Sequence, residues 1–230
     1  MKRITVLFFL LSLAPTYVGF ARGDHLEPAR SHDSPNGSVR DYYVKVLSLL
    51  RTDFNSKPLA RCVVLPSFTA EYAWSLERSP DGVSLLTNML SENFWYARNK
   101  NVTVTSRKIL LEAELAEAAE ELFRAAVAET RPPLEGYYGC DGTTWTFAVD
   151  DGNGSLKEGE VWSPPRGSLM RRLTDVCDAF FALPEGKGPS QAELAAGMRA
   201  LTADIRAQAG VFPWLGNGVR GLLERRFQNP

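Results

Sequence analysis

The sequence predicts an α+β protein: an antiparallel β-sheet, made of a meander plus a hairpin, with two amphipathic helices packed on one face and a helical C-terminal extension. Three observations carry that expectation. Residues 68–77 alternate strictly, with Phe68, Ala70, Tyr72, Trp74 and Leu76 on one face and Thr69, Glu71, Ala73, Ser75 and Glu77 on the other, which is the period of a half-buried strand. Residues 138–165 contain a second alternating run, Trp145, Phe147 and Val149 against Thr144, Thr146 and Ala148, and then a turn rich in Asp and Gly. Residues 109–129 switch to helical spacing, with Leu111, Leu115, Ala118, Leu122 and Ala126 as the apolar stripe.

The chain opens with Lys2 and Arg3, an apolar run over residues 4–14, and Gly19, Phe20 and Ala21, which put small residues where a signal peptidase reads. We read residues 1–21 as a cleaved secretory signal peptide, with a periplasmic or secreted location. A membrane anchor is the alternative, but Pro15 and the small-x-small end speak against it, and no transmembrane span is expected after cleavage. Cleavage removes two of the 26 basic residues and none of the 27 acidic ones, for a net charge of −3. That balance gives no footprint for nucleic acid.

Residues 22–38 hold Pro28, Pro35, Asn36 and Gly37 with almost no apolar side chain, and read as a flexible leader. Val39, Tyr43, Val46, Leu47 and Leu50 then recur at helical spacing behind Ser38, although residues 43–46 also suit a strand. Cys62, Val63, Val64 and Leu65 form a short apolar run before the alternating strand, and Pro80, Asp81 and Gly82 turn it back into a partner strand over residues 83–90. Phe94, Trp95 and Tyr96, and then Val102, Thr103 and Val104, read as two further short strands. Pro132 and Pro133 end the helix of residues 109–129, whose many glutamates read as a solvated face.

The hairpin follows, and Pro164 and Pro165 close its second arm because proline cannot donate to a ladder. Ser168 caps a second amphipathic helix carrying Leu169, Leu173, Val176, Cys177 and Phe180. This order of elements suggests a degenerate ββα repeat, without matching residues. Residues 39–183 form the α+β domain, and residues 184–230 the extension. Within it Ser190 and Glu193 make a capping-box pattern ahead of Leu194, Leu201 and Ile205.

The chemistry is limited by what is missing. His25 and His32 are the only histidines and both lie in the expected leader, which argues against Ser-His-Asp or Cys-His catalysis and against His-ligated zinc. No cofactor-binding or metal-binding motif is present, and an EF-hand register on Asp151 fails because Leu156 falls where glycine is needed. Glu71, Glu158 and Glu160 are the carboxylates that a histidine-free hydrolase could pair. Three cysteines in an exported chain allow one disulfide and one free thiol, or small buried hydrophobes; the layout brings Cys140 and Cys177 together as the candidate pair, with Cys62 left over. Trp74 and Trp145 fall on core faces, whereas Trp95, Tyr96, Trp162 and Trp214 are the candidate binding aromatics.

The expected function is a non-enzymatic interaction module that binds a protein or envelope component. A hydrolase with paired carboxylates and a structural accessory envelope protein are the alternatives.

Overall fold

The computed structural model describes residues 24–30, 35–98, 101–133 and 141–211. In chain order the elements are helix α1 (Gly37–Leu50), strands β1 (Ala60–Pro66), β2 (Tyr72–Ser79), β3 (Gly82–Leu90) and β4 (Val104–Leu110), helix α2 (Ala113–Ala128), strands β5 (Thr143–Asp150) and β6 (Leu156–Trp162), helix α3 (Leu169–Ala182), a single 3-10 turn (Leu183–Glu185) and helix α4 (Gln191–Val211). The six strands form one sheet in the order β4-β3-β2-β1-β5-β6, and every neighbouring pair is antiparallel. The α+β class and the meander-plus-hairpin sheet are those the sequence predicts.

The place of β1 explains its composition. It lies between the meander and the hairpin, pairing β2 on one side and β5 on the other, and helices cover both of its faces. A strand buried on both faces has no reason to alternate, and residues 60–64 are buried without a break. On the first face Cys62 stands in register between Trp74 and Phe147. Phe123 of α2 packs 4.9 Å from the Trp74 ring and 6.0 Å from Phe147, and Phe180 of α3 lies 5.3 Å from Trp74. Trp145, Phe147 and Val149 join this core together with Leu173, Cys177 and Phe180 of α3, the arrangement expected for the hairpin. Each large side chain buried there is worth about 1.5–3 kcal/mol.

The second face has its own core. Val63, Leu65, Ala73 and Leu90 pack under Val46 and Leu50 of α1 with Phe94, Ala97 and Val102. The stretch that also suited a strand is therefore helix, capped by the Asn36 side chain, which accepts from the Ser38 N–H at 3.0 Å. Asn88 fixes the other end by donating to the Leu50 and Thr52 carbonyls, both at 2.9 Å.

Several expectations need correction. Phe94, Trp95 and Tyr96 form a turn, not a strand. Ile109 and Leu110 belong to β4, and α2 begins only at Ala113, because the β3 ladder continues to claim those residues through Leu85–Ile109 and Ser84–Leu110 pairing. The alternating strand starts at Tyr72, so Phe68 lies outside it. The helical C-terminal extension, by contrast, packs on the core as expected: Leu194, Ala195, Met198, Leu201 and Ile205 of α4 sit in the first core, against α2 and α3. Two of the predicted caps are present, Ser168 accepting from the Arg171 N–H at 3.0 Å and Ser190 exchanging hydrogen bonds with Glu193, whereas Asn36 and not Ser38 caps α1.

Residues 24–30, within the expected flexible leader, are docked. Leu26 is fully buried in the first core, and the Glu27 backbone exchanges hydrogen bonds of 2.8 and 2.7 Å with Glu160 on β6. Gly159 makes this approach possible, since a Cβ there would stand 2.9 Å from Leu26 and 2.5 Å from the Thr130 hydroxyl. One buried leucine and a two-bond bridge to a sheet edge offset the ordering of a polar segment that composition alone assigns to solvent.

His25 lies in this strap. Burial, and then the nearby Arg131, hold its pKa below the ordinary 6.5, against the opposing pull of the Pro132 carbonyl and Asp24. The fold therefore favours the neutral imidazole; the stability this gives is complete above the unfolded value and is lost as pH falls through the lower folded value. In urea titrations the wild type should lose more stability than His25→Asn between about pH 7 and about pH 5. Equal losses would show that His25 is not docked.

Candidate functional site

The site grows from one polar residue that the sequence placed on a solvated face. Glu71 immediately precedes β2 and is fully buried. Alternation puts it on the second face, as predicted, but that face is covered by α1 and by the connection between β3 and β4. The Glu71 carboxylate accepts the Tyr42 hydroxyl of α1 at 2.8 Å, and its two oxygens accept the Phe94 N–H at 3.0 and 3.2 Å. Burial, and then the hydrogen bond and charge of Glu71, push the Tyr42 phenol well above its ordinary range, so it remains a donor.

Asn93 completes the frame. Its amide donates to the Pro66 and Thr69 carbonyls at 3.1 and 2.9 Å, while its carbonyl oxygen accepts the Trp95 and Tyr96 N–H groups at 3.1 and 3.4 Å. The side chain is thus shared between the β1–β2 connection and the aromatic turn, and both of its polar ends are satisfied.

These bonds hold three large aromatics at the surface. Phe68 is 65% exposed, Trp95 48% and Tyr96 59%. The Phe68 and Tyr96 rings stack with centroids 6.4 Å apart, and the Trp95 ring meets Tyr42 edge-on at 5.3 Å. Beside Trp95 is an open pocket of about 200 Å³ lined by Ser38, Asp41, Tyr42, Lys45, Phe94 and Trp95. The arrangement offers a broad apolar platform with an adjacent carboxylate and ammonium.

The predicted site residues fall as follows. Trp95 and Tyr96 come together at this corner. Trp162 is partly exposed on β6 and lies against Gly142, where a Cβ would stand 2.7 Å from its ring. Gly142 in turn exchanges hydrogen bonds with Ser67, next to Phe68, so Trp162 sits at the same end of the sheet. Trp214 and Cys140 lie outside the described residues. Cys177 is buried, and its thiol neighbour there is Cys62. Phe68, Tyr42 and Asn93 are the members of the site that sequence patterning missed. An Asn ahead of three consecutive aromatics was the available signal, since Asn favours turns over strands.

The carboxylates do not assemble across the sheet. Glu71, just ahead of β2, and Glu160, on β6, are separated by β1 and β5, roughly 14 Å apart from strand spacing alone, beyond the roughly 5–10 Å that paired glycosidase carboxyls need. Glu158 and Glu160 share one face of β6, where Glu160 accepts the Arg30 N–H at 3.1 Å. Neither this pocket nor a second one, lined by Thr52, Asp53, Leu86, Asn88, Ser106, Arg107 and Lys108, includes any of the three glutamates. Among the described residues no group of three or more His, Cys, Asp or Glu side chains could hold a metal ion, and no helix is long and apolar enough to cross a membrane.

The fold and site together define, among the described residues, a two-sided α+β sheet protein with an exposed aromatic corner tied by hydrogen bonds. Comparison with protein-family models, with curated proteins and with solved structures finds no match.

Glu71→Gln tests the frame. The amide oxygen can still accept from Tyr42 and Phe94, but the charge is lost and a buried NH₂ gains no acceptor, so equilibrium unfolding should show a loss of about 1–3 kcal/mol. A neutral substitution would mean that the carboxylate is not buried as described.

Proposed function

We propose that this chain is an exported, non-enzymatic interaction module that binds a protein or envelope component through the corner formed by Phe68, Trp95 and Tyr96. The observation that carries the proposal is the exposure of three large aromatics, Trp95 and Tyr96 on a turn and Phe68 on the β1–β2 connection, whose backbones are tied by two buried side chains, Glu71 and Asn93. Aromatic side chains dominate binding hot spots, and an anchor already held in place loses little conformational entropy on association. Asp41 and Lys45, at the rim of the adjacent pocket, supply polar groups of both signs, as interface rims do. The spacing of Glu71 from Glu160 favours this binding role over a hydrolase with paired carboxylates. A periplasmic or secreted location is supported by the apolar segment behind Lys2 and Arg3.

The test is affinity capture from an envelope extract, with the wild type and a Phe68→Ala, Trp95→Ala, Tyr96→Ala triple variant as baits. A partner should co-purify with the wild type and be lost with the variant, whose urea midpoint stays close to that of the wild type because the removed rings are exposed. Equal capture by both baits would overturn the assignment of the corner.

A further inference from the structure

We propose that Cys62 and Cys177 are a redox pair that closes into a disulfide pinning α3 onto β1. Cys62 projects from the central strand into the first core, between Trp74 and Phe147 in register. Cys177 lies on the buried stripe of α3 with Leu173 and Phe180, and Phe180 packs on that same Trp74. Both cysteines are free and completely buried. Both belong to the buried cluster of the first core, where Cys62 is the thiol neighbour of Cys177 and donates to the Val63 carbonyl at 3.9 Å. Two neighbouring buried thiols on separate elements, far apart in sequence, are what a cross-link requires.

The chemistry balances with an external disulfide as oxidant. One thiol loses its proton, and the thiolate attacks the external disulfide to form a mixed disulfide and release one external thiol. The second cysteine, as thiolate, then attacks the mixed bond and expels the other external thiol. Two cysteine thiols lose two protons and two electrons, and one external disulfide becomes two thiols.

Burial sets when this happens. Desolvation, and then the hydrogen bond to Cys62, hold the Cys177 thiol far above its ordinary pKa, and thiolate is the reactive form. The native, reduced protein is therefore protected, and closure takes place while the chain folds or opens. The bond would enclose residues 62–177, about half of the chain, a loop long enough for a cross-link to restrict the unfolded state strongly. Cys140 lies inside that loop and is the competing thiol. The pair is independent of the aromatic corner and of what binds there.

The experiment is refolding of Cys140→Ser, and separately of the wild type, from denaturant in buffer containing glutathione disulfide. Alkylation and peptide mass mapping then locate the cross-link. The expected result in both proteins is a peptide joining Cys62 to Cys177 with the loss of two hydrogens. The oxidised Cys140→Ser protein should unfold at a higher urea concentration than its reduced form, and the folded, reduced protein should oxidise much more slowly than the refolding chain. Three results would each overturn the proposal: full alkylation of both cysteines after refolding, a wild-type cross-link that runs through Cys140, or an oxidised form less stable than the reduced one.

Discussion

A buried carboxylate without an ion-pair partner in the described contacts is the constraint on which the rest of the second face depends. Removing a charge from water is costly unless strong hydrogen bonds replace the solvent, and Glu71 receives them from a helix phenol and a turn amide. Those two donors belong to segments that also pack together in the second core, and the bonds to Glu71 set the point at which they meet. Satisfying Glu71 therefore fixes where α1 crosses the sheet and how the residues after β3 turn. Asn93 adds the third tie, to the β1–β2 connection. The exposed rings of Phe68, Trp95 and Tyr96 stand at the ends of these ties, so buried polar chemistry places their backbones, and the Phe68–Tyr96 and Tyr42–Trp95 ring contacts add to it.

The first core makes this arrangement affordable. Helices α2, α3 and α4 and the residue 24–30 strap together bury Trp74, Phe123, Phe147 and Phe180 around the centre of the sheet. Surface ion pairs such as Arg206–Glu121 at 2.7 Å and Arg172–Asp204 at 2.6 Å link α4 to its neighbours. Exposed pairs of this kind contribute at most about 1 kcal/mol each, so the aromatic packing carries the layer. With stability concentrated there, the opposite face can hold a charged group and present apolar surface to solvent.

The first core was largely legible in the sequence. Trp74 and Leu76 on one strand and Trp145, Phe147 and Val149 on another were assigned to one face by period-2 alternation alone, and the caps at Ser168 and Ser190 by residue type. The site was less so. Alternation reports that Glu71 faces away from Trp74, but not whether that side meets water or a helix; only α1 decides it. Phe94, Trp95 and Tyr96 have strand propensity, and a turn won because Asn93 and Glu71 capture the backbone N–H groups that a ladder would have used. Leu26 and Gly159 show the same limit in the strap, since one contact made possible by a missing Cβ is invisible to composition. Phe68, read as the first core residue of its strand, is instead one of the most exposed aromatics.

The proposed binding surface is tied down by hydrogen bonds in the free protein, which distinguishes it from a loop that orders on contact. The central claim is thus that buried Glu71 holds the aromatic turn in the free protein. Amide hydrogen exchange of the Phe94 N–H in the isolated protein tests it most directly. The account predicts strong protection of that amide, close to that of the β2 and β3 ladder, and its loss together with that of Trp95 and Tyr96 when Glu71 is replaced by alanine. Fast exchange at Phe94 in the unaltered protein would contradict it.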